Sequence, residues 1–343
     1  MLKKIELVIL LLALIIQLDA QTGKDPLFDD QRPLNIALTV TNKELKKAKE
    51  DSVYIGHMLF YKDAEGNADS VKVGLKGRGN FRLNQCYFIP LKIKIKKKDA
   101  KGTLFEGNKK LKLVLPCLNQ RSKDILIVRE LICYKLYEEV TDYAFRTRLI
   151  NLDITELRGK KSRNFQTKGI LVEDLDKLAK RFDAKPVKNS LRSSSFQDTA
   201  SLRFDFFQLM ISNTDWSKSF QHNAKVIYHQ LYYIPIPYDF DMAGLVDAPY
   251  STVSQINGEQ LPISSVRERL YRGDCRPKEL TEFVRREFIS KKARFLAIPS
   301  GFKSELPDRD VRNMEAYLND FFKILENDRV FAREVAEICQ ALN

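Results

Sequence analysis

The sequence predicts an α+β fold, with a β-rich N-terminal half that contains one main helix and a mostly helical C-terminal half. Three observations lead to this prediction. Strand-like stretches separated by turn residues fill positions 52–117, the apolar period becomes helical from position 123, and long amphipathic stretches occupy positions 277–296 and 309–341. The chain has 343 residues, of which 44% are hydrophobic. It is therefore long enough to bury one large core or two modest ones.

The first twenty residues are predicted to form a secretory signal peptide. A short basic start, MLKK, precedes an apolar run that is short for a membrane span, and the small residue Ala20 marks the expected cleavage position. An uncleaved N-terminal anchor is the alternative. Both readings place the rest of the chain outside the cytoplasm, in a periplasmic, cell-surface or extracellular position. Cleavage would leave no stable membrane span.

The remaining chain divides by composition into four segments. Residues 21–50 are assigned to an N-terminal extension, 51–182 to a β-rich N-lobe, 183–200 to a flexible linker or loop, and 201–343 to a helical C-lobe. The linker assignment depends on the loss of apolar periodicity and on a concentration of Lys, Ser and Pro.

The N-lobe segment predicts a meandering sheet followed by a helix. Its strand-like stretches are rich in β-branched and aromatic residues: SVYIGHMLFY, DSVKVGLKG, YFIPLKIKIK and KKLKLVLP. KDILIVRELICYKLYEEV then places Ile125, Val128 and Ile132 at helical spacing behind a Ser122 cap. FRTRLINLDIT and TKGILVEDLDKLAKRF predict two further strands and the start of another helix.

The C-lobe segment carries two carboxylates at the end of an apolar strand. TASLRFDFFQLMISNTDW predicts a helix that runs into the polar stretch NTDWSKSFQHN, and AKVIYH and LYYIPIP predict a hairpin that leads to PYDFDMAG. Asp239 and Asp241 would repel each other and lose hydration there unless a cation compensated them. The pair is therefore predicted to bind a metal ion.

The chain is basic, with a formal net charge of +13. Such an excess attracts phosphate-rich partners, anionic polymers or nucleic acid without choosing among them. Much of it comes from KIKIKKKDAKG (92–102), which alternates Ile with Lys as an amphipathic strand does. This stretch is interpreted as a solvated strand face, and no DNA partner is expected.

Five cysteines are present, which leaves one over if disulfides form in an exported chain. Cys86 and Cys117 stand at the edges of neighbouring strand-like segments and are chosen as a bridge. The chain has no CxxC or Cys/His spacing typical of a zinc site. His222 and His229 lack a nucleophile motif, so a hydrolase triad is not expected.

The order of polar groups in the C-lobe segment indicates phosphoryl transfer. A helix, a loop with Asp215 and Asn223, a hairpin and then Asp239 follow one another as in protein-kinase-like folds. In such sites one Asp orients the acceptor hydroxyl, while the Asn and a later Asp hold magnesium against the nucleotide phosphates. The hairpin is expected to turn the later Asp toward the loop. A two-lobe, protein-kinase-like fold is the expectation that follows.

Several motifs make this likeness more specific. VGLKGRGNFR (73–82), IPLKIKIK, TLFEGNKKLKLVLPC, DILIVRELICYKLYEEV, GILVEDLD, NTDWSKSFQHN and IPIPYDFDMAG occur in one order along the chain. In that order the chain resembles the spore-coat protein H (CotH) kinase family, a secreted branch of the kinase-like fold. The resemblance spans about residues 71 to 246, and its sharpest parts are KGRGN and PYDFDMAG.

The resemblance implies catalytic and metal-binding roles. Asp215 matches the catalytic aspartate, Asn223 the loop asparagine and Asp239 the metal-binding aspartate. Asp241 is a second acidic group close to the metal. The implied cofactors are ATP and magnesium, with manganese as a substitute.

The resemblance also implies a phosphate-binding set. Lys92 is the candidate that reaches the nucleotide phosphates, Glu130 could pair with it, and Arg78 could contact phosphate. Gly77 and Gly79 would allow close backbone approach.

Two features depart from the family pattern. Phe81-Arg82 stand where the family has small hydroxyl residues, so the side chains near that turn differ from the family pattern. The separation of Asp215 and Asn223 is eight positions, whereas protein kinases have about five.

The predicted function is an exported protein Ser/Thr kinase of the CotH type, a transferase that moves the terminal phosphate of ATP to protein hydroxyls. Its expected partners are nucleotide and a protein substrate or envelope partner, and a monomer is expected. The alternative is a catalytically inactive kinase-like surface or envelope scaffold. A third hypothesis, a metal-dependent nuclease that uses Asp239 and Asp241, would need further acids nearby.

Overall fold

The structure, a computed structural model, describes residues 25–41, 43–45, 47, 53–63, 65–78, 86–117, 124–256 and 258–342. The predicted signal peptide, residues 1–20, lies outside this range. Gly79, the Phe81-Arg82 pair and the predicted Ser122 cap lie outside it as well.

Seven strands of the described residues close into a barrel in the order β1-β2-β3-β4-β5-β7-β6. Their bounds are Leu34–Val40 (β1), Ile55–Lys62 (β2), Ala68–Gly77 (β3), Leu91–Ile95 (β4), Lys110–Val114 (β5), Thr147–Arg158 (β6) and Lys161–Glu173 (β7). Neighbouring strands are antiparallel except β1 and β6, which pair in parallel from Leu34 opposite Ile150 to Val40 opposite Glu156. This parallel pair closes the sheet.

The alternation of side chains along the strands explains why the interior of the barrel is apolar. In β4 the burial alternates along LKIKI, so that Leu91, Ile93 and Ile95 point inward while Lys92 and Lys94 point out. The inward residues of the other strands, including Leu59 and Val73, belong to the same apolar core. The lysines that dominate the charge of this region therefore lie on the outer face of the barrel.

The expectation of a two-lobe, protein-kinase-like fold is wrong. The N-terminal strands form a closed mixed barrel, because residues 34–40, assigned to the N-terminal extension, supply β1 and pair with both β2 and β6. Strand character is a local property that the sequence shows. The pairing of the first strand with one more than a hundred positions later is a non-local contact that periodicity does not encode.

The predicted main helix is confirmed as α3. It packs on β7 and on the outer side of the barrel, where Val128 and Ile132 join an apolar core that also includes Phe206 and Phe207. The helices of the described residues are Pro26–Asp29 (α1), Lys97–Ala100 (α2), Asp124–Val140 (α3), Leu175–Arg181 (α4), Asp198–Met210 (α5), Lys278–Ser290 (α6), Lys292–Ala297 (α7), Asp308–Glu326 (α8) and Asp328–Phe331 (α9).

The helical half also contains a three-stranded sheet with the order β10-β9-β8. The predicted hairpin is confirmed as β9 and β10, paired from Ala224 opposite Pro237 to His229 opposite Tyr232. The added strand β8 comes from the segment assigned to the linker. The small strands of this half are Lys185–Val187 (β8), Ala224–His229 (β9), Tyr232–Pro237 (β10), Gln255–Ile256 (β11) and Glu259–Gln260 (β12).

Two disulfides are present. Cys86 and Cys117 are bonded, which confirms the predicted bridge, and Cys275 is bonded to Cys339. Cys133, the remaining cysteine, is buried in α3. None of the helices in the described ranges combines the length and apolar content that a bilayer crossing requires.

Candidate functional site

Asp215 lies in the loop that follows α5. Its backbone N–H donates a hydrogen bond to Oδ1 of Asn213 at 3.0 Å, and the indole N–H of the buried Trp216 donates to the Asn213 carbonyl at 2.9 Å. Arg272 donates to the carbonyls of Thr214 and Trp216 from the other side. These hydrogen bonds hold the loop in place, so the backbone that carries the Asp215 carboxylate is fixed.

The hairpin brings the end of this loop next to the segment after β10. The backbone N–H of Tyr238 donates to the carbonyl of Asn223 at 3.1 Å, one step beyond the last pair of the hairpin. Asn223 has a φ of +44° and Asp239 a φ of +67°. Asn and Asp tolerate left-handed backbone better than most other residues, so both positions suit the residue types that occupy them.

The Asp215 carboxylate receives a hydrogen bond on each oxygen. Oδ1 lies 2.8 Å from Nε2 of His222, and Oδ2 accepts from Nδ2 of Asn223 at 2.8 Å. This pairing with Asp215, partly opposed by burial, raises the pKa of His222. The two side chains fix the orientation of the carboxylate.

Phe240 anchors the DFD segment. It is completely buried and packs edge-on against Tyr134 of α3 and Phe207 of α5, at centroid distances of 4.7 and 5.4 Å. The Tyr134 hydroxyl also accepts a hydrogen bond from the backbone N–H of Asp239 at 3.0 Å. The apolar residue between the acids therefore locks the segment into the core and positions Asp239 and Asp241 beside the cleft.

Gly244 explains the small residues that follow the acids. A Cβ at this position would lie 2.3 Å from the carbonyl oxygen of Val266 and 2.9 Å from Cβ of Ser212. The Gly244 backbone N–H donates to the Ser212 carbonyl at 2.9 Å. Only glycine permits this approach, which keeps the DFD segment against the end of α5.

Arg78 forms an ion pair with Asp239. Its Nη2 lies 2.8 Å from Oδ2 of Asp239, and the two side chains are 12% and 21% exposed. Arg78 stands directly after β3, whereas Asp239 stands after β10. The pair therefore joins the barrel to the helical half at the site.

Three lysines stand close to Arg78. Burial lowers the pKa of Lys92, Lys112 and Lys225, and the charge of Arg78 lowers each of these pKa values further. The charge of Asp239 raises the pKa values of Lys112 and Lys225. The charge of Asp174 also raises the pKa values of Lys92 and Lys112, so two carboxylates compensate this cluster of cations only in part.

Lys112 has the most constrained position in this cluster. Its ammonium lies 3.8 Å from the ring centroid of Tyr238 and 4.9 Å from that of Phe145. The nitrogen is enclosed and has no hydrogen-bond acceptor within the described part of the chain. An enclosed ammonium without an acceptor is costly, so an anion that enters the cleft would relieve it.

These groups line one cleft of about 1430 Å³. It brings together six of the seven residues to which the sequence analysis assigned a catalytic, phosphate-binding or metal-binding role: Arg78, Lys92, Asp215, Asn223, Asp239 and Asp241. Glu130, the seventh, is buried on α3 at 2% exposure and is not among the lining residues. Its pairing with Lys92 stays a prediction.

Sequence reasoning missed Lys112, Lys225 and Tyr238, and it set His222 aside because no nucleophile motif accompanies it. Lys112 lies in the strand-like stretch KKLKLVLP, which forms β5. The register of β4 and β5, which places Lys112 directly opposite Lys92, is the signal that identifies it. That register is not visible in the sequence.

The cleft offers a hard divalent cation only a few oxygen ligands. Among the described residues, no three His, Cys, Asp or Glu side chains converge as a metal-ligand group. Because Nδ2 of Asn223 is turned to Asp215, its amide oxygen takes no part in that contact, and Asn223 lines the same cleft as Asp239 and Asp241. Magnesium suits such a set, since it retains water and takes few protein ligands alongside phosphate oxygens.

Comparison of the chain with protein-family models and with curated proteins finds no match. The assignment to the CotH kinase family therefore stays a prediction that depends on the motifs quoted above.

Proposed function

We propose that this cleft binds the polyphosphate of a nucleotide together with a divalent cation and transfers the terminal phosphoryl group to a protein hydroxyl. The observation that carries the proposal is the shared lining of the cleft by four basic side chains and four carboxylates. The basic side chains are Arg78, Lys92, Lys112 and Lys225, and the carboxylates are Asp215, Asp239, Asp241 and Asp247, the last of which is paired with Arg267. Cations that lower one another's pKa are expected where an anion binds.

Each side chain has a distinct task in this proposal. Lys92, Lys112 and Lys225 neutralise the phosphate oxygens, and Arg78 offers a fork of donors to them. Asp239, Asp241 and Asn223 would hold magnesium or manganese, which supplies charge neutralisation at the phosphates when bound. The proton of the acceptor hydroxyl passes to Asp215, the acceptor oxygen bonds to the terminal phosphorus, and the bond from that phosphorus to its bridging oxygen breaks to release the diphosphate.

The motif order that resembles the CotH kinases supports ATP as the nucleotide and a protein as the acceptor. Export of the chain belongs to the same proposal. The two disulfides are in keeping with an oxidising compartment.

A non-catalytic binding module is the second candidate, and one observation favours it. Arg78 is bonded to an oxygen of Asp239 that a metal ion would use. If that pair persists with nucleotide bound, the cleft would hold anions without transferring phosphate.

Purified protein incubated with radiolabelled ATP and magnesium separates the two candidates. We expect incorporation of label into an added protein mixture or into the chain itself, and its loss in Asp215→Asn and Asp239→Asn. Asp320→Asn is the matched control, because Asp320 is an exposed carboxylate on α8 that pairs with Lys323 and does not line the cleft. Stabilisation by nucleotide without incorporation would support the binding module, and absence of both would end the proposal.

A further inference from the structure

Lysines on the outer face of β3, β4 and β5 continue from the cleft onto the barrel surface. Lys76 lies directly opposite Lys92, and Lys92 directly opposite Lys112. Lys94 follows Lys92 by two positions on the same face of β4. We refer to Lys76, Lys92, Lys94 and Lys112 as the lysine row. Lys92 and Lys112 line the cleft, while Lys76 and Lys94 do not.

Among the described residues, carboxylates compensate the lysine row only through the more distant charges of Asp174 and Asp239. Lys110, which lies opposite Lys94, forms an ion pair with Asp176 at 2.7 Å. No lysine of the row forms such a pair with any residue that the structure describes. The charge of Asp174 raises the pKa of Lys92, but the Asp174 side chain is engaged as the N-cap of α4. Like charges directly opposite each other destabilise a sheet, so this arrangement has a cost that a bound anion would remove.

Tyr54 holds the outer pair in place. Its ring centroid lies 5.7 Å from Nζ of Lys76 and 5.6 Å from Nζ of Lys94. Gly74 makes room for the tyrosine, since a Cβ there would lie 3.0 Å from Cβ of Tyr54. An aromatic face steadies an ammonium without neutralising its charge. Both charges therefore stay available at the surface beside the cleft.

We propose that Lys76 and Lys94 bind an acidic flank of the acceptor polypeptide, whose hydroxyl is presented to the cleft. The role of the acceptor hydroxyl rests on the proposed function, whereas binding of the acidic flank does not depend on it. Because β3 and β4 are paired on both sides in the closed barrel, a peptide cannot bind there by adding a strand, and recognition must use side chains. The lysine row leads directly into the cleft, so one chain can occupy both.

The spacing of the outer pair favours an extended peptide with acids at alternate positions. Diagonal neighbours on adjacent strands, as Lys76 and Lys94 are, lie about 7–8 Å apart. Alternate side chains of an extended peptide lie about 7 Å apart on one side. A peptide in which a serine is followed by glutamates at every second position matches this geometry.

The test is the binding of such a peptide, fluorescently labelled, measured by anisotropy at low ionic strength. We expect Lys76→Glu/Lys94→Glu to bind it about tenfold or more weakly than the unmodified protein, since two attractions become repulsions. Lys160→Glu/Lys161→Glu is the matched control, because these exposed lysines at the β6–β7 turn change the net charge equally. A peptide with lysines in place of the glutamates should bind the Lys76→Glu/Lys94→Glu variant more tightly than it binds the unmodified protein.

Failure of this inference is distinguishable from failure of the proposed function. Lys76→Glu/Lys94→Glu should retain the thermal stabilisation by magnesium and ATP, which reports on the cleft alone and also verifies folding. Equal affinity of the acidic peptide for this variant and the control would overturn the docking proposal. So would tighter binding of a single-stranded DNA oligonucleotide of the same charge, lost in the same variant, because the surface would then be a nucleic-acid site.

Discussion

The guanidinium of Arg78 lies 2.8 Å from the carboxylate of Asp239 although the two residues are 161 positions apart in the chain. The contact connects the end of β3 with the segment after β10. In the proposed chemistry Arg78 binds phosphate and Asp239 binds the metal ion, and here the two side chains bind each other. Binding of a nucleotide with its metal would exchange it for two new contacts, Arg78 to phosphate and Asp239 to the cation.

Arg78→Met tests whether a metal ion replaces Arg78 as the partner of Asp239. Without ligand, the free energy of unfolding should fall by about 1–3 kcal/mol, because a partly buried Asp239 carboxylate loses its cationic partner. Manganese or magnesium should then stabilise the variant more than the unmodified protein. Urea denaturation with and without metal measures both effects. Arg309→Met, at an exposed position on α8, is the control; an identical metal response in all three proteins would contradict the exchange.

Lys112→Met should abolish the stabilisation by magnesium and ATP. The enclosed ammonium has no acceptor among the described residues, so the variant without ligand should be as stable as the unmodified protein or more stable. Differential scanning fluorimetry over a nucleotide titration is the measurement, since a ligand that binds only the folded chain raises its midpoint.

Lys110→Met is the matched control for this experiment. It removes a lysine two positions away on the same strand, whose ammonium is exposed and paired with Asp176. Its nucleotide response should remain unchanged. A response that survives in Lys112→Met, or is lost equally in both variants, would remove Lys112 from the phosphate site.

Phe240→Ala should destabilise the protein by about 3–5 kcal/mol, because it leaves a cavity where a fully buried ring contacts α3 and α5. Phe240→Leu fills most of that volume and should cost less, yet it should still weaken nucleotide binding by loosening the two flanking acids. Chemical denaturation and the nucleotide titration measure the two effects. Phe220→Ala is the control, since this side chain is 78% exposed, and it should change neither.

Stability should depend on pH through Asp205. Burial raises its pKa to about 6 from the ordinary value of 3.8, despite the opposing contact with Lys218. The folded state holds this proton more strongly than the unfolded state does. The resulting stabilisation is complete below pH 3.8 and is lost as the pH rises through about 6. It amounts to at most about 3 kcal/mol.

Asp205→Asn should remove this part of the pH dependence. The stability of the unmodified protein relative to the variant should decrease between pH 4 and pH 6, as measured by urea denaturation at each pH. Asp153→Asn, an exposed carboxylate on β6, should leave the profile parallel to that of the unmodified protein. Parallel profiles for Asp205→Asn would show that this buried carboxylate does not titrate as described.

Much of the candidate site could be predicted because its residues follow the ends of locally recognisable elements. Asp215 and Asn223 occupy the loop between a helix and a hairpin, and Asp239 follows the second strand of that hairpin. A hairpin returns its end to its beginning, so Asn223 and Asp239 were bound to be neighbours. The hydrogen bonds between Asn223 and Asp215 bring the third residue to them. Lys112 and Lys225 could not be predicted in this way, since each lies within a strand and does not follow the end of an element.

The amino-acid pattern alone determined many of the strands and helices, including the alternating strand LKIKI, α3 and the hairpin before DFD, but it did not identify β1 or β8. Period and turn chemistry are local, so they indicate secondary structure without reference to distant contacts. Only the tertiary structure decided that β1 pairs in parallel with β6 and closes a barrel, that Arg78 meets Asp239, and that Lys76, Lys92 and Lys112 align in one row. These depend on strand register and on packing between segments far apart in the chain, where the free energy of burying a common core selects one pairing among many that the pattern permits.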